Sequence, residues 1–227
     1  MIRLTVVVEG QTEEAFVKEL LIPHLAHHGV YASATIVGKL VARERGHRGR
    51  GGGHFKHWLA DIRRLLSEDP SPNRRVTTLF DLYGLPADFP NLELHCAEPD
   101  TNRRCEALQR ELSDAIPDSR LIPYLQRHEF EALVLASLPH LAQVLDAEDD
   151  LNGLARLREQ LKAFAPEDVN DGPDSAPSKR LVQAIPGYSK VLHGPLVTSA
   201  AGLEVLRRTC PRFGAWIARL EALDGEG

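Results

Sequence analysis

The sequence predicts an α/β fold, in which a parallel sheet flanked by helices is followed by an all-helical C-terminal extension. Short, apolar, β-branched runs alternate with amphipathic helical patterns over the first part of the chain. Such alternation is typical of right-handed βαβ units, which build a parallel sheet. From Pro139 onward only helical patterns remain. We therefore expect an α/β domain over residues 1–137 and a helical extension, packed on it, over residues 138–227.

The opening stretch is the most informative part of the chain. The apolar, β-branched run Ile2–Val8 has the character of a strand that is buried on both faces. It ends in Glu9 and Gly10, where the glycine permits a tight turn. Thr12 is expected to cap the following helix, and Glu13 suits its positive first turn. Glu9 would then lie at the carboxyl end of a central strand, where open α/β sheets bind ligands.

The remaining elements follow from the spacing of apolar residues, which differs between strands and helices. Further strands are predicted at residues 32–37, 76–82, 92–96 and 120–126. Helices of the first part are predicted at residues 13–28, 54–67 and 102–116, and those of the extension at 151–164, 178–185, 202–209 and 212–223. Pro23 is expected to kink or divide the first helix.

Composition limits the possible classes of protein. The chain is 43% hydrophobic and 26% charged, which is ordinary for a globular protein. It has no apolar run long enough for a membrane span and no signal peptide, so we expect a cytoplasmic location. The net charge of −5 argues against a general nucleic-acid coat protein. It leaves room for a nuclease, because phosphate contacts need only a local basic patch.

Carboxylates follow three of the predicted strands. They are Glu9, Asp81, and Glu129 with Glu131. Parallel strands from successive βαβ units end at the same edge of the sheet, so these groups can converge. Mg²⁺ or Mn²⁺ prefers oxygen ligands, and such an ion can neutralise a phosphate and activate a water molecule. The pattern predicts a metal site with these four residues as candidate ligands, and Glu9 could instead act as a general base.

The other candidate residues have alternative interpretations, whereas Glu9 is harder to explain as a cap because Thr12 is expected to fill that role. Asp81 alone is equally well explained as the cap of a following helix. Glu129 and Glu131 would share one face of a strand but diverge on a helix, and we favour Glu129 for the site. His128 is well placed to support the site, although a surface or hydrogen-bonded histidine is the commoner role.

Two basic segments are candidate phosphate contacts. Residues 43–53 interleave arginine with glycine, which predicts a mobile, electropositive loop that could close over a polyanion. A surface loop without a partner is an equally good interpretation. The second segment presents Lys179 and Arg180 in the first turn of a helix that Ser178 could cap, with Lys190 nearby. Either a bound phosphate or salt bridges to preceding acidic residues would explain cations at that position.

Five separated stretches together resemble one known family. In chain order they are Val8-Glu9-Gly10-Gln11-Thr12-Glu13, Asp81-Leu82-Tyr83, His128-Glu129-Phe130-Glu131-Ala132-Leu133, Ala176-Pro177-Ser178-Lys179-Arg180-Leu181 and Cys210-Pro211-Arg212-Phe213. On these stretches the protein is identified as a member of a bacterial family, domain of unknown function family 4276. That family resembles the Toprim domains of topoisomerases, primases and nucleases of the overcoming-lysogenization-defect type. The resemblance implies a Toprim- or Rossmann-like sheet.

The resemblance also implies roles for individual residues. Toprim proteins use a glutamate after the first strand in acid–base chemistry, and Glu9 matches it. Their Asp-x-Asp motif holds Mg²⁺; Asp81 matches its first aspartate, but Tyr83 stands in place of the second. Glu129 or Glu131 would have to supply the missing ligand. Related proteins often accompany an ATPase of the structural-maintenance-of-chromosomes type in antiviral defence, so the resemblance implies such a partner.

Two hypotheses of different classes follow. The first is a Mg²⁺- or Mn²⁺-dependent phosphodiesterase, a Toprim-like nuclease that acts on nucleic acid in bacterial antiviral defence. The second is a catalytically silent Toprim-like subunit that binds an ATPase partner or nucleic acid, which the absent second aspartate favours. For the nuclease, the catalytic residues would be Glu9 and Lys179, the nucleic-acid contacts Arg43, Arg45, Arg48, Arg50, Lys179, Arg180 and Lys190, and the supporting residues Thr12, Glu13, Tyr83 and His128.

Overall fold

The chain forms two compact units. The computed structural model describes residues 1–38, 40–42, 48–50, 53–169 and 175–226, without the side chains of 40–42, 48–50 and 226. The first unit comprises Met1–Arg127 and Leu220–Gly227, and the second comprises His128–Arg219. All described strands lie in the first unit, and the second is helical. The domain boundary that the sequence places at residue 137 stays a prediction.

The first unit is built on a five-stranded sheet. Its strands are β1 (Ile2–Val8), β2 (Val30–Ile36), β5 (Arg74–Asp81), β6 (Leu121–Ile122) and β7 (Leu125–Gln126). The order is β2-β1-β5-β6, with β7 also on β5, and every pairing is parallel. The apolar residues of β1 are almost completely buried, as expected for a central strand. The predicted class, a parallel sheet flanked by helices and followed by a helical C-terminal part, is confirmed.

Helices cover this sheet. In chain order they are α1 (Gln11–Phe16), a π-helical turn (Val17–Leu21), α2 (Ile22–Ala26), α3 (Phe55–Glu68), a 3-10 turn (Leu82–Gly84), α4 (Leu92–Cys96) and α5 (Thr101–Ala115). The α3 and α5 helices share a hydrophobic core with Val7, Val76 and Phe80 of the sheet, and the Trp58 and Phe80 rings lie 4.5 Å apart. The α2 helix contacts β2. The first predicted helix is thus divided into three segments, with Pro23 near the start of the last.

Three local predictions are wrong. Thr12 is not the cap of α1, because the N-cap position is occupied by Gly10. Residues 92–96 form a helix, not a strand; Leu94, which the alternating pattern would bury, is 69% exposed. The glycine-arginine segment predicted as a loop at residues 43–53 contains a short strand, β4 (Arg48–Arg50), which pairs antiparallel with β3 (Leu40–Ala42) just before it. Arg43 and Arg45 lie outside the described residues, as do the side chains of Arg48 and Arg50.

The predicted strand at residues 120–126 is divided into β6 and β7. Pro123 lies between them and has no N–H to donate to β5. Thr78 bridges the gap, because its hydroxyl donates to the Tyr124 carbonyl at 2.7 Å and accepts from the Tyr124 N–H at 2.8 Å. The register is the same on both sides, with Thr77 opposite Ile122 and Phe80 opposite Leu125.

The second unit consists of helices. They are α6 (Glu131–Ala136), α7 (Leu138–Leu141), α8 (Glu148–Leu161), a 3-10 turn (Pro166–Asp168), α9 (Pro177–Ala184), α10 (Lys190–Thr209) and most of α11 (Pro211–Glu221), which a last 3-10 turn follows (Ala222–Glu226). The predicted helix at 202–209 is the second part of α10, which is kinked at Gly202 with φ of 77°. Among the described residues, no helix combines the length and the apolar character needed to cross a membrane.

Candidate functional site

The carboxyl ends of two adjacent strands bring Glu9 and Asp81 together. The β1 and β5 strands are paired in parallel, with Val8 opposite Leu79. Glu9 follows β1 directly, and Asp81 is the last residue of β5. The Asp81 backbone N–H donates to the Glu9 carboxylate at 2.6 Å. Two acids that are 72 residues apart in sequence therefore meet at the sheet edge where the sequence predicts a site.

A glycine that sequence analysis missed shapes this edge. Gly84 ends the 3-10 turn after β5, and a Cβ atom built on it would overlap the carboxylate of Glu9. The space that holds the Glu9 side chain thus depends on the absence of a side chain at Gly84. The available signal was the glycine three residues after the strand-end aspartate, in Asp81-Leu82-Tyr83-Gly84. This glycine can be interpreted only when β1 and β5 are known to be neighbours.

The geometry also bears on the alternative role of Asp81. Its side chain makes no capping bond to the short 3-10 turn that follows. The Asp81 side chain is buried. Asp81 therefore occupies the N-cap position of this turn without the side-chain hydrogen bond of a helix cap.

The supporting residues predicted near Glu9 differ in burial. Thr12 and Glu13 are buried in the first turn of α1. The Glu13 carboxylate lies 3.1 Å from the position that a Cβ atom on Gly10 would take. Tyr83 is 41% exposed in the turn after Asp81. A tyrosine hydroxyl is a much weaker ligand for Mg²⁺ than a carboxylate, so Tyr83 is a poor substitute for the second aspartate that the resemblance to Toprim domains would require.

In the second unit, Glu129 interacts with the start of a helix. Its carboxylate accepts a hydrogen bond from the backbone N–H of Ser178 at 3.0 Å. Ser178 is the second residue of α9, so Glu129 places a negative charge at the positive end of this helix. The predicted cap role of Ser178 is wrong, because Ala176 is the N-cap. The anion expected at this helix start is thus supplied by the chain itself.

Glu131 forms a buried ion pair. Its side chain is completely inaccessible to solvent, and one carboxylate oxygen lies 3.0 Å from the Lys190 ammonium. Burial raises the pKa of Glu131, and the charge of Lys190 lowers it in part. The other Glu131 oxygen and the Tyr188 hydroxyl are buried and have no hydrogen-bond partner among the described residues. Burial, followed by the charge of Glu131, raises the pKa of Tyr188.

The basic residues of the second unit have distinct positions. Lys179 is exposed in the first turn of α9. Arg180 is half-buried, and its Nε donates to the Ser175 carbonyl at 2.8 Å. With Arg156 of α8, Arg180 lines a groove of about 280 Å³. The groove carries two guanidinium groups and is therefore suited to an anion.

His128, the last predicted supporting residue, is buried and has a left-handed backbone with φ of 64°. Such a conformation is uncommon for a residue other than glycine, although histidine tolerates it better than most. His128 is the first residue of the second unit and directly precedes Glu129.

Comparison with known proteins identifies a family. The family model described as domain of unknown function (DUF4276) matches residues 8–221, so the chain belongs to this family. No curated protein sequence matches the chain. Two solved structures of the C-terminal region of the Xanthomonas campestris pv. campestris OLD protein match it, one phased with iodine and one with platinum. The first is 15% identical with a TM-score of 0.40, covering 100% of this chain and 99% of the other. The second is 14% identical with a TM-score of 0.39, covering 96% of this chain and 94% of the other. TM-scores this low do not establish a shared fold.

Proposed function

We propose that this DUF4276 protein is a metal-dependent phosphodiesterase of the Toprim-like type that hydrolyses nucleic acid. The observation that supports the proposal best is the pair of carboxylates, Glu9 and Asp81, at the ends of adjacent parallel strands. Ligands of open α/β sheets bind at this edge. The sequence resemblance to Toprim domains assigns acid–base chemistry and metal binding to the same two positions.

The residues at this edge fit a hard divalent cation. Glu9 and Asp81 offer carboxylate oxygens, which Mg²⁺ and Mn²⁺ prefer. Gly84 leaves space for the Glu9 carboxylate beside the turn after β5. When bound, such a cation would neutralise charge on a phosphate and lower the pKa of an attacking water molecule. Glu129 and Glu131 remain candidates for further ligands, although Glu131 already pairs with Lys190.

The chain's own residues would position the substrate and move the proton. The Asp81 N–H holds one oxygen of Glu9 at 2.6 Å and so fixes the orientation of its carboxylate. An oriented carboxylate can accept the proton of the attacking water as a general base. Lys179, exposed at the start of α9, would contact the phosphodiester, and Arg180 would contribute a further cation. The arginines of residues 43–50 would act as an electrostatic clamp.

Plasmid and oligonucleotide cleavage tests this function. Supercoiled plasmid, single-stranded DNA and single-stranded RNA would be incubated with the protein and Mg²⁺ or Mn²⁺. We expect cleavage that chelation abolishes and that Glu9→Gln reduces by about 10²–10⁴-fold, the usual contribution of a general base. Glu14→Gln is the matched control, because Glu14 lies in the first turn of α1, close to Glu9 in sequence, and its carboxylate pairs with Lys18 on the surface at 2.9 Å. Full activity of Glu9→Gln would contradict the proposal.

A second candidate function is a catalytically silent subunit that binds nucleic acid or an ATPase partner of the structural-maintenance-of-chromosomes type. The exposed Tyr83, where the Toprim pattern has a metal-binding aspartate, favours it. The same preparation separates the two functions. Binding of single-stranded DNA without cleavage under any metal condition, alone or with the ATPase, would support the silent subunit. We place either activity in the cytoplasm and in bacterial antiviral defence.

A further inference from the structure

A second group of potential metal ligands lies in the first unit and plays no part in the proposed phosphodiesterase. It consists of His24, His28 and Glu221, and we refer to it as the His2Glu cluster. Its ligand atoms all lie within 4.8 Å of one another, and within the described ranges no other group of three has this property. His24 Nε2 lies 2.6 Å from a Glu221 oxygen, and His28 Nε2 lies 3.8 Å from the same oxygen.

The local fold brings the two histidines to one side of the chain. His24 lies in α2, and His28 follows four residues later, in the turn that continues the helix. The His28 N–H donates to the Leu25 carbonyl at 2.9 Å, which keeps this turn close to helical geometry. Residues four apart on a helix share a face, and the two rings lie 4.9 Å apart. His27 between them is directed elsewhere, since its Nδ1 bonds the Pro23 carbonyl at 2.8 Å.

The third ligand comes from the other end of the sequence. Glu221 is the last residue of α11, 197 positions from His24. The next turn holds Asp224, which bonds the N-terminal amine at 3.2 Å. The C-terminal segment of the first unit is therefore held beside α2, and the Glu221 carboxylate is directed at the two imidazoles.

We propose that the His2Glu cluster binds a Zn²⁺-class transition-metal ion. Two imidazole nitrogens and one carboxylate are a common ligand set for zinc, whereas Mg²⁺ avoids imidazole. The exposed fractions of the His24, His28 and Glu221 side chains are 25%, 40% and 14%, so an ion can enter from solvent and keep a water as the fourth ligand. Nothing in the proposed phosphodiesterase requires this ion.

Only small movements are needed to accommodate the ion. Ligands of a tetrahedral zinc at 2.0–2.1 Å lie about 3.3 Å apart. The His24–Glu221 contact of 2.6 Å would open, and the His28–Glu221 distance of 3.8 Å would shorten. Both changes lie within the reach of rotations about side-chain bonds. The ion would replace one histidine–carboxylate hydrogen bond by a three-way link between α2 and the C-terminal segment.

A histidine–carboxylate hydrogen bond alone does not make a metal site, and the chain contains a comparison. His95 Nε2 lies 2.8 Å from a Glu111 oxygen in the same unit, without a second histidine in the group. This pair has the same chemistry as His24 with Glu221 but one fewer nitrogen ligand. Removing His95 therefore tests whether a single histidine–carboxylate pair is enough to account for zinc binding.

Competition of the full chain with a chromophoric chelator for Zn²⁺, repeated by absorbance with Co²⁺, tests the proposal. We expect wild type to hold one Zn²⁺ per chain that depends on His28, with a loss of affinity at this site above about 100-fold in His28→Gln, since losing a group that merely orients a ligand costs 10–100-fold. His24→Gln should show the same loss of affinity, whereas His95→Gln should bind as wild type does.

Three outcomes would overturn the proposal. One is the absence of stoichiometric binding by wild type. Another is equal affinity in wild type and His28→Gln, whose half-exposed side chain can be replaced without disturbing a core. The third is a loss of affinity in His95→Gln as large as that in His28→Gln. Because no nuclease assay is involved, failure here leaves the phosphodiesterase proposal standing, and the reverse also holds.

Discussion

The carboxylate of Glu131 and the ammonium of Lys190 lie 3.0 Å apart, and Glu131 has no exposure to solvent. Breaking a buried pair by removing one partner leaves an uncompensated charge, which costs more than the pair itself contributes. Both residues were proposed from sequence as parts of the nuclease site. Their pairing gives each of them a role in the stability of the helical unit, which can be measured independently of any activity.

We expect Lys190→Met to destabilise the protein by about 3 kcal/mol, because it leaves the Glu131 carboxylate buried without its cation. Denaturant unfolding measures this change. Lys162→Met is the matched control: the Lys162–Glu159 pair is 3.4 Å long and both side chains are mostly exposed, so its loss should cost less than about 1 kcal/mol. Equal stability of the Lys190→Met and Lys162→Met proteins would refute the buried-pair interpretation.

The cost of Lys190→Met should depend on pH. The pKa of Glu131 is raised in the folded state, so the folded protein binds a proton more readily than the unfolded chain. The contribution of Glu131 to stability is therefore fully present below its unfolded pKa and is lost as pH rises through its folded pKa. Loss of Lys190 removes an influence that lowers this pKa, so the fall should extend to higher pH in the variant.

Unfolding of wild type and Lys190→Met at several pH values between about 4 and 8 tests this dependence. The difference in stability should be smallest at the acid end, where Glu131 is protonated in both states, and should grow as pH rises. The double variant Glu131→Gln/Lys190→Met carries no titrating group at this position. The double variant should lose the pH dependence that Lys190→Met shows relative to wild type. If this dependence persists, a group other than Glu131 is responsible for it.

Thr78 gives a test of how the sheet is completed. Thr78→Val preserves the shape of the side chain but removes the hydroxyl that bonds both the N–H and the carbonyl of Tyr124. Since these groups are buried, we expect a loss of about 2 kcal/mol in the free energy of unfolding. Thr35→Val, on the half-buried β2, is the control and should change stability by less than about 0.5 kcal/mol. A Thr78→Val protein as stable as the control would show that Tyr124 finds other partners.

These contacts explain what the sequence could and could not predict. The strand ends at Glu9 and Asp81 were found because an apolar run followed by an acid is a local signal. The bridge from Thr78 to Tyr124 and the bond from Glu129 to Ser178 depend on residues that are about 45 to 50 positions apart. Local periodicity carries no information about such partners. The strand prediction at residues 92–96 was wrong for the same reason, because the spacing of apolar residues does not reveal whether one face of the segment is buried.

Gly84 offers the most direct test of the candidate site. Gly84→Ala places a methyl group where the Glu9 carboxylate lies, and we expect this flexible side chain to move. If Glu9 binds the metal, the affinity for Mn²⁺, measured by electron paramagnetic resonance, should fall by about 10–100-fold, as when a ligand loses its orientation. Gly225→Ala is the matched control, because a Cβ atom there meets nothing within 4 Å. Weaker Mn²⁺ binding and slower cleavage in Gly84→Ala, with unfolding unchanged, would assign Glu9 to the metal. Unaltered Mn²⁺ binding would place the metal elsewhere.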